Sequence, residues 1–132
     1  MNIIYHLADI HIPNNIDRHG EYRLIFNKFI RKIKEEKRKK IVIICGDLYH
    51  DKTTIKPEAL ELAQYLIRRI TNECELLIFD GNHDININND KRMSSIDATI
   101  KYMKTKNIIH YLTDNEIYEL NDINFGLVTM YG

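Results

Sequence analysis

Residues 77–84 read LIFDGNHD, and with Leu76 ahead of them four apolar residues run straight into Asp, Gly, Asn, His and Asp. Such an ending, taken alone, is an ordinary turn. The same chain ends two other apolar runs in a similar way. The run from Ile3 to Ala8 stops at Asp9-Ile10-His11, and the unbroken β-branched run Ile41 to Cys45 stops at Gly46-Asp47. Apolar runs of this length bounded by turn residues read as strands covered on both faces.

Between these strands the pattern changes to a helical period. Tyr22, Phe26, Phe29, Ile30 and Ile33 form a stripe over residues 22–37. Pro57 opens a second helix with Glu58 and Glu61 near its positive end, and Ala59, Leu60, Ala63, Leu66, Ile67 and Ile70 give its apolar face. Ser94-Ser95-Ile96-Asp97 offers a capping signal for a third helix reaching about Lys106. Ile108 to Leu112 is a fourth strand, and residues 116–120 and 123–130, joined through Asn121-Asp122, form a hairpin. Strands alternating with helices predict an α/β fold with right-handed crossovers and a mostly parallel sheet. In such sheets ligands gather outside the carboxyl ends of the strands. All three polar endings therefore fall on one rim.

The composition narrows the setting. At 132 residues the chain holds one domain. Its 19 basic and 19 acidic residues balance, so a polyanion would need a local site rather than a global field. The one dense basic run, RKIKEEKRKK at 31–40, reads as a solvated helix end, with a weak phosphate contact through Lys37–Lys40 as the alternative. Cys45 and Cys74 fall at opposite ends of neighbouring strands and are not expected to bridge. The start MNIIYHLADIHI has no basic leader and carries His6, Asp9 and His11 inside its apolar stretch, which fits neither a signal peptide nor a membrane span. A soluble intracellular protein, cytoplasmic or nuclear, is expected.

The residue types on the rim suit metal chemistry. In Asp9-x-His11 the alternate spacing would send both side chains to one side if the segment is extended. Glycines serve where the backbone turns close to a bound ion. Carboxylate, imidazole and amide oxygen together suit Mn²⁺, Fe²⁺ or Zn²⁺, and two such ions about 3.5–4 Å apart can clamp a phosphate and activate water.

Asp9-x-His11, Gly46-Asp47 and Gly81-Asn82-His83-Asp84 resemble the first three motifs of the calcineurin-like metallophosphoesterases. HLADIHI followed by GDLYHDKTTIKPEAL is similar to one branch, the double-strand-break repair nucleases of the meiotic-recombination-eleven/SbcD type. The resemblance spans essentially all 132 residues. It implies a sandwich with a mostly parallel first sheet flanked by helices and a second sheet only begun by residues 116–130. It also implies two divalent ions, with manganese expected. Asp9 and His11 would hold the first, Asp47 would bridge both, and Asn82 would bind the second. His83 would face the scissile phosphate and Asp84 would orient it, without a covalent intermediate. DNA is the implied substrate, and an SMC-like ATPase subunit the implied partner.

Four donor residues, with Asp47 shared, are few for two such ions. The family completes the shell with later histidines, including a Gly-His-x-His, that do not occur before Gly132. Residues 1–132 are therefore expected to be the N-terminal part of a longer nuclease domain, or a truncated relative of one, weakly active alone, with Phe125, Leu127, Val128 and Met130 partly uncovered. His6, His19, His50 and His110 read as structural or surface residues, with His50 and His19 near enough to the rim to contact substrate. A phosphatase or nucleotide phosphodiesterase, and a non-catalytic binding module, are the rival readings.

Overall fold

A computed structural model describes residues 2–51, 54–81, 93–120 and 122–128. Four strands, β1 (Asn2–Leu7), β2 (Lys39–Cys45), β3 (Glu75–Phe79) and β4 (Ile109–Leu112), pair in parallel in the order β1-β2-β3-β4. Helices α1 (His19–Glu35), α2 (Pro57–Glu73) and α3 (Ser95–Ile100) fill the crossovers. A two-stranded antiparallel hairpin, β5 (Ile117–Leu120) with β6 (Ile123–Gly126), follows.

The alternation of side chains along a strand divides the core. Val42 and Ile44 of β2 and Leu76 and Ile78 of β3 face the helices. There they meet Phe26, Ile30 and Ile33 of α1, Leu62, Leu66, Ile67 and Ile70 of α2, and Ile96 of α3. Ile41, Ile43 and Leu77 face the other way, onto Leu112, Leu127 and the partly buried Tyr118, Leu120 and Phe125 of the hairpin. This is why the β2 and β3 runs are apolar at every position: neither face of the central strands meets water.

Two expectations change. The third helix stops at Ile100 rather than near Lys106. Asn107 explains the early stop, because its backbone and side-chain N–H groups both bond the carbonyl of Thr71 at the end of α2, at 3.1 and 2.7 Å. A continuous helix would rise only about 1.5 Å per residue and could not span from α3 to that anchor as extended chain does. The uncovered patch is also smaller than expected. Leu127 is buried against the sheet and Phe125 is partly covered, while Val128 and Ile117 are exposed. Met130 lies outside the described residues. Both cysteines are free thiols, and among the described residues no helix is long and apolar enough to cross a membrane.

Candidate metal centre

Parallel pairing of β1 with β2 does not end with the strands. Beyond them the His11 N–H donates to the Asp47 carbonyl at 3.0 Å, Ile12 N–H to Leu48 at 2.8 Å, and His50 N–H back to Ile12 at 3.0 Å. Ile12, Leu48 and Tyr49 anchor this extension by burying almost completely, and each large apolar side chain so buried contributes about 1.5–3 kcal/mol. The Tyr22 hydroxyl of α1 also donates to the His11 carbonyl at 3.2 Å. The two loops are thus zipped together at the rim of the sheet.

Asp9, His11 and Asp47 each offer a donor atom there, all within 4.8 Å of one another. The Asp9 carboxylate lies 3.7 Å from His11 Nε2. No other group of three or more His, Cys, Asp or Glu donors comes together in this way among the described residues.

Backbone conformation marks the same three residues. Asp9, His11 and Asp47 have φ of 53°, 52° and 50°, and Asp122 at 63° is the one further non-glycine residue with positive φ among those described. Left-handed backbone costs a residue with a side chain roughly 1–3 kcal/mol, and it persists where surrounding contacts enforce it. Three such residues from two distant segments occupy one spot.

The glycines have a steric reason. Gly46 has φ of 66°, and a Cβ on it would lie 2.3 Å from the Gly81 nitrogen. A Cβ on Gly81 would lie 2.6 Å from an Asp47 carboxylate oxygen and 2.9 Å from the Asp47 nitrogen. The backbone that opens the third motif therefore lies directly against the carboxylate of the second. Asn82, His83 and Asp84 themselves fall outside the described residues.

The remaining histidines separate clearly. The His50 ring is exposed and sits edge-on to His11, with centroids 6.1 Å apart. His19 is buried, and its Nε2 bonds the Pro13 carbonyl at 2.6 Å, fastening the loop that follows His11 to the start of α1. His6 lies 2.8 Å from the Cys45 thiol, and His110 3.2 Å from Glu75.

One group beside the rim was not singled out from the sequence. Asp80 accepts a short hydrogen bond from the Tyr111 hydroxyl, which also lies 3.0 Å from Ser94 Oγ. Ser94 in turn accepts from the Asp97 N–H and caps α3. Burial pushes the Asp80 carboxyl above its usual range, offset in part by Tyr111 and Ser94. Burial, then the bond to Asp80, raises the Tyr111 hydroxyl. The signal was available only through register: Tyr111 pairs with Ile78, and Asp80 projects on the same face two residues later.

Two carboxylates and one imidazole around a common point fit a divalent cation such as Mn²⁺, Fe²⁺ or Zn²⁺. The contact between Gly81 and Asp47 leaves no room there for any larger residue. The sequence profile described as calcineurin-like phosphoesterase matches residues 3–132. An uncharacterized protein of Acanthamoeba polyphaga mimivirus is 28% identical over 130 residues, covering 97% of this chain and 10% of that protein. The chain spans about a tenth of the length of this curated relative.

Proposed function

The chain belongs to the calcineurin-like phosphoesterase family, and from that premise we propose that it performs metal-dependent hydrolysis of phosphodiesters, with DNA as substrate. The observation that carries the chemistry is the convergence of Asp9, His11 and Asp47 on one point through left-handed backbone. The choice of DNA rests on the motif similarity to the double-strand-break repair nucleases, GDLYHDKTTIKPEAL above all.

A pair of divalent ions, with manganese expected, supplies Lewis-acid charge at the phosphoryl group when bound. Asp9, His11 and Asp47 would hold them, with Asn82 contributing from the third motif. The strained loops keep the donors in place before the ions arrive, so little ordering is left to do on binding. By the motif resemblance His83 would face the scissile phosphate, stabilising its charge or protonating the leaving oxygen, with Asp84 orienting it. His50, exposed beside His11, is the substrate contact in this reading. His19, tied to Pro13, serves the loop instead. An SMC-like ATPase as partner belongs to the same reading.

The test compares manganese-dependent cleavage of duplex DNA ends with hydrolysis of a small phosphodiester, for the wild type and His83→Ala. The expected result is weak DNA cleavage that His83→Ala abolishes while manganese binding persists. Hydrolysis of the small ester alone would assign the chain to the phosphatases or nucleotide phosphodiesterases. Neither activity, with manganese bound, would make it a binding module. Loss of manganese from His83→Ala would turn that residue into a ligand.

A further inference from the structure

Helices α1 and α2 lie side by side on the same face of the sheet. Part of their outer surface forms a concavity of about 390 Å³ lined by Asn27, Ile30, Arg31 and Lys34 of α1 and Arg69 of α2. Residues 27, 31 and 34 share one helix face by their spacing of four and three. Tyr65 braces the site: its ring lies 5.5 Å from the Arg69 guanidinium, its hydroxyl accepts from Arg69 at 2.8 Å and donates onward to Asn27. A guanidinium fixed in this way keeps donors pointing outward at small entropic cost.

Among the described residues the cations here form no ion pair. Arg23, which also stacks on Tyr65, is paired with Glu61 at 3.2 Å. No described carboxylate forms an ion pair with Arg31, Lys34 or Arg69, although Glu35 and Glu73 stand four residues beyond the two arginines. Glu73 lines a different hollow with Glu36 and Lys37. In a chain of zero net charge, three cations gathered around one hollow make a local positive field that attracts anions.

The later part of the linear basic run is used differently. The Lys40 ammonium closes α1 by bonding the carbonyls of Ile33 and Glu36, and Arg38 folds onto the Glu36 carboxylate. The groove draws its charge from two helices instead, so the run 31–40 marks only part of it.

We propose that the cationic groove formed by Arg31, Lys34 and Arg69 between α1 and α2 docks the phosphate backbone of a nucleic acid. An acidic protein segment fits less well. Stable protein interfaces centre on apolar anchors, and the one apolar residue lining this groove, Ile30, is already buried in the core. Interfaces with nucleic acid are polar and positive, and arginine forks match phosphate oxygens two at a time. Both helices run back from the rim that carries Asp9, His11 and Asp47, so the groove is a second contact on the same molecule. The choice of nucleic acid leans on the phosphodiester reading above; the unpaired charge does not.

The experiment measures binding of the full chain to a short duplex DNA in chelator, over a salt series. Removing metal separates this site from the hydrolytic centre. Arg31→Glu/Lys34→Glu/Arg69→Glu should bind at least about tenfold more weakly, and the slope of log K against log salt should fall by roughly 3, near 0.9 per lost phosphate contact. The neutral Arg31→Gln/Lys34→Gln/Arg69→Gln variant, checked for a wild-type melting curve, gives the same reading if charge reversal unfolds the chain. Lys37→Gln/Lys39→Gln should bind as the wild type does. Unchanged binding by both triple variants, equal loss in Lys37→Gln/Lys39→Gln, or competition by poly-glutamate as effective as by duplex DNA would each overturn the proposal. Cleavage failing while this binding persists would discredit the hydrolytic reading alone.

Discussion

The two ends of the sheet are built on opposite terms. At the amino ends of the strands several polar groups find partners nearby: Lys40 caps the carbonyls of α1, Arg38 holds Glu36, and Asn107 clasps Thr71. At the carboxyl ends three side-chain-bearing residues sit in left-handed backbone, two glycines touch, and two carboxylates and an imidazole crowd together. One rim closes the fold and the other holds strain in place. Backbone strain tends to collect where a site must be held ready. The core beneath both rims is the same, so the difference lies in what each rim is for.

The contrast breaks most sharply at Gly46. Gly46→Ala places a Cβ against the Gly81 backbone and in left-handed space, and should cost about 2–5 kcal/mol by overpacking and strain together. Urea denaturation of the variant measures it, and a loss under about 1 kcal/mol would show that the two loops can part freely. Next comes the ion itself. Manganese at a hundredfold excess over its dissociation constant should stabilise the wild type by about 2.7 kcal/mol. In Asp47→Ala the manganese-induced rise in Tm should vanish. An equal rise in both proteins would move the centre away from Asp47.

The opposite rim should respond to mutation without touching the metal. Lys40→Met removes a charged cap from two carbonyls and should lower stability by about 1 kcal/mol, with the manganese-induced rise in Tm intact. The smallest effect belongs to Glu36, whose hydrogen bonds from Arg38 hold its carboxyl down at about 2, against an ordinary 4.5. A depressed carboxylate contributes stability that is present above its unfolded value and lost as pH falls to the folded one. Glu36→Gln should thus be slightly less stable than the wild type at neutral pH. The gap should narrow below pH 4.5 and close near 2. Parallel denaturation series at both ends of that window check it, and a gap that widens on acidification would refute the assignment.

Much of this was legible beforehand for a definite reason. The unbroken apolar runs at 41–45 and 76–79 could only be strands buried on both faces. Pro57 and Ser94 mark helix starts that the structure keeps. Ser94 is also the case where local reading ran short, since the helix it caps ends at Ile100 under the pull of a contact 36 residues away in sequence. The likeness to a metallophosphoesterase was likewise readable from the motifs, and the profile over residues 3–132 agrees with it.

The sequence by itself determined the element order, the parallel sheet and the residue types on its rim, because those follow from side-chain period and from turn chemistry within a few residues. Tertiary structure decided how closely Asp9, His11 and Asp47 meet and in what backbone conformation, that Gly46 and Gly81 must both lack a side chain, and that Tyr111 reaches Asp80. It alone decided, too, that Arg69 joins Arg31 and Lys34 in one hollow. Each of these depends on register and packing between segments far apart in the chain, which no local pattern encodes.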